Sequence, residues 1–391
     1  MKLIIEPDAG VGPIVAAIKG AKKSVEIAIF RFDRRDLEMV LKAAAAAKGV
    51  GVTAVIASVN RGGEQNLRKL ELRFLDAGII VARSANDLIR YHGKYILIDR
   101  RVLYVLSFNF TRLDIDRSRG FGIVTTSADW IREAVRLFKA DCTHTPYVPA
   151  KKTDGFVVSP TNSRAVLGAF LRGAKAELLI YDPKISDNEM LRALAARAKA
   201  GVEIKVIGSV AGRTALDVRK LSGTRLHTRT IIRDRHHAFV GSQSLRTAEL
   251  NSRRELGLIV QDAKAVKTLI ETFESDWAGT HTKSAPAPPK DVIALTTEPA
   301  AVSARKTAKA VQLFTKELSP LTVSVKKAVR KAVAKAGEDV LHDKDVKDTM
   351  KKVVKKAVKD AVKEAVHEAE DAQGVKDAKD VKAVKDARSE P

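Results

Sequence analysis

One cysteine, Cys142, stands among 391 residues, and aromatic side chains make up only 5% of them. The first scarcity excludes an intrachain disulfide and any thiolate metal cluster, since each needs at least two thiols, and it fits a reducing compartment. The second gives little support to recognition by base stacking. No apolar run approaches the roughly 18 residues of a membrane span, and Glu6 and Asp8 interrupt the first residues before an apolar stretch can build. The expectation is a cytoplasmic protein with no transmembrane segment, peripheral on a membrane at most.

What is abundant is positive charge. Lys and Arg number 70 against 47 acids, a formal charge of +23, while 45% hydrophobic residues suffice for real cores. Such a chain favours polyanionic partners, either nucleic acid or an anionic lipid surface. Residues 301–391 carry 22 basic and 15 acidic side chains, a net of +7, so residues 1–300 hold the remaining +16 and are basic in their own right.

The chain also repeats itself. His92, Lys94 and Asp99 are followed by Ser107 and Asn109; 135 residues later come His227, Arg229 and Asp234, followed by Ser242 and Ser244. Ile18 to Lys22 matches Leu171 to Lys175, Val55 to Ser58 matches Val206 to Ser209, and Phe138 to Asp141 matches Phe273 to Asp276. Two half-sites in one chain predict one composite site.

Within each half, stretches of helical spacing alternate with short Val- and Ile-rich runs. These are Val25 to Phe30, Val52 to Ile56 and Tyr95 to Ile98, then Leu178 to Tyr181, Ile204 to Ile207 and Thr230 to Ile232. The alternation predicts α/β halves at 1–148 and 149–283. Gly49 and Gly201, after alanine-rich helical stretches, are expected near helix ends. A Pro-rich linker at 284–300 precedes a low-complexity Lys/Ala/Val-rich tail at 301–391, which has too few aromatic residues to build its own core. Val354, Val358, Val362 and Val366 give that tail a narrow helical stripe, and Lys326, Lys327, Arg330 and Lys331 form its densest basic cluster.

The paired motifs carry chemistry. An imidazole that titrates near neutrality can attack as a base or donate as an acid, but one ring cannot do both at once. Two histidines divide the work: one attacks phosphorus while the other protonates the departing oxygen. On a strand, His-x-Lys sends both side chains to one face. Lys94 then supplies fixed charge, Arg229 a planar bidentate clamp, and Ser107, Asn109, Ser242 and Ser244 neutral donors.

These residues resemble the HxK(x)4D(x)6GSxN motif of the phospholipase D superfamily, over roughly residues 1–283. The resemblance implies two tandem phospholipase D-like α/β domains around one composite site, with a phosphohistidine intermediate and no cofactor or metal. It assigns His92 as nucleophile and His227 as general acid. Lys94 and Arg229 would hold the phosphate with Ser107, Asn109 and Ser242. Asp99 and Asp234 would support, and Glu255 would orient a histidine. Leu106 in place of the motif glycine, Arg229 in place of lysine and Ser244 in place of asparagine depart from the pattern, and Gly120 stands at the first-half equivalent of Glu255.

Three functions are open on this reading. The leading one is a phosphodiesterase or phosphatidyltransferase acting on phospholipid, resembling cardiolipin synthases. The second is a nuclease, favoured by the basic body and tail. The third is a polyanion-binding protein on a catalytically decayed fold. His236 and His237 are expected in a turn, Tyr91 in the core or at the pocket rim, and Arg117 and Arg119 in a solvated loop or against a substrate phosphate. His144 and His281 are assigned no role.

Overall fold

The computed structural model describes residues 1–59, 64–85, 87–150, 153–212 and 214–280. The expected linker and tail, with the basic cluster and valine stripe, lie outside the described residues, as does His281.

The first half runs β1 (Lys2–Glu6), α1 (Gly12–Lys19), β2 (Ser24–Ile29), α2 (Arg35–Ala46), β3 (Gly51–Ile56), α3 (Glu64–Leu75) and β4 (Ile80–Arg83). It continues with β5 (Arg90–Tyr91), β6 (Tyr95–Ile98), β7 (Val102–Leu106), α4 (Arg112–Arg117), β8 (Ser118–Thr125) and α5 (Ala128–Thr143). The second runs β9 (Phe156–Ser159), α6 (Ser163–Arg172), β10 (Glu177–Ile185), α7 (Asn188–Lys199), β11 (Glu203–Val210) and β12 (Asp217–Arg219). Then come β13 (Arg225–Leu226), β14 (Arg229–Arg233), β15 (His237–Gly241), α8 (Thr247–Asn251), β16 (Arg253–Val260) and α9 (Ala263–Ala278).

Two mixed sheets result, ordered β1-β8-β7-β6-β2-β3-β4 and β12-β11-β10-β14-β15-β16-β5. The expected α/β class and tandem arrangement hold. Their central strands are covered on both faces and so read as continuous apolar runs: Val25, Ile27, Ala28 and Ile29 of β2 are all fully buried. Leu37, Val40, Leu41 and Ala44 of α2 fall at helical spacing and are buried. The halves share a core, because Tyr181 of β10 packs its ring edge against Phe121 of β8 at 5.5 Å and against Phe273 of α9 at 4.9 Å. Rings buried this way are worth about 1.5–3 kcal/mol each.

In each sheet one hairpin closes through an Asp-Arg pair. Asp99 and Arg100, and again Asp234 and Arg235, have positive φ at both positions. Arg101 N–H donates to Ile98 O, and His236 N–H to Arg233 O. Two successive positive φ values mark a type I′ turn, whose twist suits a tight hairpin, and aspartate tolerates them better than most residues.

The feature that positions the site is an exchange of short strands. β5 leaves the first half to pair in parallel with β16 of the second, Arg90 opposite Arg253 and Tyr91 opposite Arg254. β13 leaves the second half to pair with β8 of the first, Arg225 opposite Ser118 and Leu226 opposite Arg119. Each exchanged strand ends one residue before a histidine.

Candidate active site

His92 and His227 therefore lie between sheets, and the expected His-x-Lys strand is instead an extended connection that enters its own sheet only at Tyr95 or Arg229. The backbone N–H of His92 donates to Arg254 O at 2.7 Å, and that of His227 to Arg119 O at 3.2 Å. Both donors and both acceptors are 135 residues apart, so the clamp obeys the repeat, and each histidine is fixed by the opposite half.

His92 is 5% exposed, with its ring edge-on to Phe30 at 4.6 Å between centroids. Its Nδ1 stands 2.7 Å from Oε2 of fully buried Glu255 on β16. Burial first, then the charges of Lys94 and Arg229, hold the His92 imidazole well below its ordinary pKa. Burial pushes Glu255 up to about 8, helped by nearby Glu249. Lys94 is 1% exposed, its Nζ donates to His92 O at 2.7 Å, and burial pulls it down to about 7.

The second half-site differs. Arg229 Nη1 donates to His227 O, repeating the Lys94 contact, but position 120 is glycine and gives His227 no carboxylate like Glu255. A side chain there would collide with Phe108, which lies 2.8 Å from the place of a Cβ. Asp114 of α4 supplies a carboxylate instead, with Oδ2 3.4 Å from His227 Nε2. Burial lowers the His227 pKa, followed by Arg229, while Asp114 opposes them; the net position is well below the ordinary value. Asp114 also accepts from the backbone N–H and Nδ2 of Asn109 and from Arg225 Nη1 at 2.7 Å. His227 Nδ1 and Arg229 Nε, both buried, have no hydrogen-bond partner among the described residues.

Asp114 escapes a search for the superfamily motif, yet the repeat held a signal for it. Displacement by 135 residues puts Asp114 on Glu249, and Glu249 accepts the N–H of Ser244 as Asp114 accepts that of Asn109. Two acids at equivalent positions, each five residues past a motif position, mark a built feature.

The sequence-derived residues do not all converge. His92, Lys94, Glu255, His227, Arg229 and Asn109 come together. The Ser107 hydroxyl accepts from Phe121 N–H, and that of Ser242 accepts from Leu256 N–H, so both tie neighbouring strands beneath the histidines. The Ser244 hydroxyl donates to Asp182. Asp99 and Asp234 sit at the distal hairpin turns. Asp99 accepts the N–H groups of Lys22, Lys23 and Ser24, and Asp234 those of Lys175, Ala176 and Glu177. Burial pushes both carboxyls up, but these backbone donors outweigh it and leave both below 3.8.

Asp99→Ala is accordingly expected to cost about 1–2 kcal/mol of stability, because it strips an acceptor from three amides, while activity survives below the melting transition. The lowered pKa means that this stability is present above 3.8 and is lost as pH falls through the folded value. Chemical denaturation of the variant at pH 7 and pH 3 checks both: the difference from the parent should shrink at the lower pH.

Arg119 is not in a solvated loop but in β8, where its guanidinium spans Asp276 of α9 at 2.9 and 3.0 Å and Glu6 O. Tyr91 is buried, His236 lies in the hairpin turn, and His237 begins β15.

Comparison with known proteins bears on the family and the fold. The sequence profile of the family described as "Cardiolipin synthase, PLD-like domain" matches residues 14–142 and 167–277. Phosphatidylserine synthase from Haemophilus influenzae superposes with a TM-score of 0.56 at 10% identity, over 72% of this chain and 86% of the other. Polyphosphate kinase from Porphyromonas gingivalis superposes with 0.60 at 18% identity, over 71% of this chain, which spans only 47% of that enzyme. At such identities these two structures speak to the fold alone. No curated protein matches the chain in sequence.

Proposed function

The chain belongs to the family of cardiolipin synthase, phospholipase D-like domains, and from that premise we propose that it cleaves or transfers phospholipid phosphodiesters through attack of His92 on phosphorus. The observation that carries the reading is the unequal support of two buried histidines: His92 has a carboxylate squarely on Nδ1, and His227 does not.

Ionised Glu255 accepts the Nδ1 proton of His92 and leaves the Nε2 lone pair free, the tautomer that an attacking imidazole needs. Nε2 bonds to phosphorus as the bond to the leaving alcohol breaks, and His227 gives that oxygen a proton. Lys94 and Arg229 face the charge that builds on the phosphoryl oxygens, in a setting dry enough to strengthen their effect. The bound phosphate in turn offsets the cations that depress His227, and Asp114 favours its protonated form. In the second step His227 takes the proton back from water or an acceptor alcohol, whose oxygen attacks phosphorus and releases His92.

The proposal predicts a bell-shaped pH dependence of kcat/KM for an ester such as bis(p-nitrophenyl) phosphate, whose leaving group needs no proton from His227. Ionised Glu255 is gained as pH rises through about 8, and the Lys94 cation is lost as pH rises through about 7. The product of those two fractions peaks between the two values. Glu255→Gln should flatten the acid limb alone. A flat profile from pH 6 to 9 in the parent would contradict these roles.

Among the described residues no helix is long and apolar enough to cross a membrane. Purified full-length protein should release phosphatidic acid, or a transferred phosphatidyl group, from vesicles of phosphatidylglycerol, phosphatidylcholine or cardiolipin. Cleavage of single-stranded or duplex DNA with the vesicles untouched would replace the lipid reading with the nuclease.

A further inference from the structure

Three arginines gather on the His92 side of the site and take no part in the steps above. Arg31 follows Phe30, the ring against which His92 packs, and its guanidinium carbon lies 5.4 Å from that ring's centroid. Arg90 reaches the same ring at 5.3 Å, beside the Lys94 ammonium at 5.6 Å. Arg253 stands directly opposite Arg90 in the exchanged strand pair. One aromatic ring thus has His92 at its edge and three cations around it.

This arrangement works against folding. Like charges directly opposite on neighbouring strands are destabilising, and Arg31, Arg90 and Arg253 are near enough for the other two to lower the pKa of Arg90, after burial. Arg253 has one acid, Glu249, at 2.9 Å. Neither Arg31 nor Arg90 has a hydrogen-bonded or ion-paired carboxylate among the described residues. Several half-buried arginines elsewhere in this protein are answered by acids: Arg34 by Asp36 and Asp116, Arg164 by Asp187 and Glu189, Arg119 by Asp276. At the His92 rim only Arg253 has such an acid.

We propose that Arg31, Arg90 and Arg253 form a second anion subsite, which takes another phosphate of the same substrate molecule while the scissile phosphate lies between His92 and His227. The substrate class is a molecule with two phosphates on one short backbone, in place of an isolated phosphodiester. Planar guanidiniums suit this role, because each can grip two phosphate oxygens at once. Arg90 and Arg253 belong to the strand exchange that also fixes His92, so a phosphate held there is registered against the nucleophile by the same backbone. The subsite deepens the phosphodiester reading and rests on it for the scissile position.

Equilibrium binding to the full chain tests the subsite independently of turnover. The probes are thymidine 3′,5′-bisphosphate against thymidine 5′-monophosphate, and glycerol 1,3-bisphosphate against glycerol 3-phosphate. The bisphosphate should bind tenfold or more tightly than its monophosphate in at least one pair, and the carrier that shows the preference names the source, nucleic acid chain or lipid headgroup. In Arg31→Ala/Arg90→Ala the preference should vanish while monophosphate affinity and turnover of bis(p-nitrophenyl) phosphate remain. Equal affinities in both pairs, or a preference that survives in the double variant, would overturn the subsite. Absence of bis(p-nitrophenyl) phosphate turnover beside an intact preference would instead count against the phosphodiester reading.

Discussion

Replacing His92 by alanine is expected to lower kcat/KM by on the order of 10⁴-fold or more, because in the proposed mechanism it removes the atom that bonds to phosphorus and not a group that assists it. No neighbour can take its place. Lys94 is held by the His92 carbonyl, and Arg229 cannot give up a proton to become a nucleophile. The cost in stability is smaller, since the cavity opens beside Phe30 and Glu255 is left buried without its partner, and a carboxyl already raised to about 8 can stay neutral. His92→Asn keeps most of the volume and separates the two effects. Acid-labile phosphoryl adducts sought by mass spectrometry should fall on the peptide containing residue 92 in the parent and be missing in both variants. A variant within tenfold of the parent rate would end the covalent reading.

His227→Asn should give a different signature, one that depends on the leaving group. With an alkyl alcohol departing, loss of the acid is expected to cost about 10²–10⁴-fold. With p-nitrophenolate, which needs no proton to leave, the first step should proceed and the second should stall, because nothing remains to deprotonate water. The observable is a burst of close to one equivalent of p-nitrophenol followed by slow turnover, with the adduct on residue 92 accumulating. Asp114→Asn should follow the same pattern more weakly, since that carboxylate favours the charged imidazole. If both classes of ester slowed equally with no burst, the division of labour between the histidines would be wrong.

Much of the fold was legible because strand and helix periods are local properties. Tyr95 to Ile98 is β6 as expected, and the runs at Val25 and Val52 lie within a residue of β2 and β3. The duplication, read from matched residues, carried the architecture further than periodicity alone. The surroundings of the histidines were not legible, because they depend on pairing between segments far apart in sequence. Two-residue strands such as β5 and β13 leave no periodic trace, so His92-x-Lys94 read as part of a strand when it is the connection that follows an exchanged one. The motif likewise marked Asp99 and Asp234 by spacing, and spacing could not tell a catalytic position from a turn whose carboxylate holds three amides. Asp114 went unseen for the opposite reason: it fills, from a different backbone position, a need that Gly120 leaves open.

The exchange of β5 and β13 bears on how such a chain arises. A lone half would offer an unpaired edge and could fix its histidine only by docking on a second copy, giving a symmetric pair with the same residue in both members of every equivalent couple. Joining the copies in one chain lifts that requirement while it keeps the interlock. Position 120 can then be glycine although 255 is glutamate, 229 arginine although 94 is lysine, and 244 serine although 109 is asparagine. On the proposed reading, covalent union is what lets one imidazole become a specialist in attack and the other in proton traffic, within a scaffold that remains a twofold in its backbone.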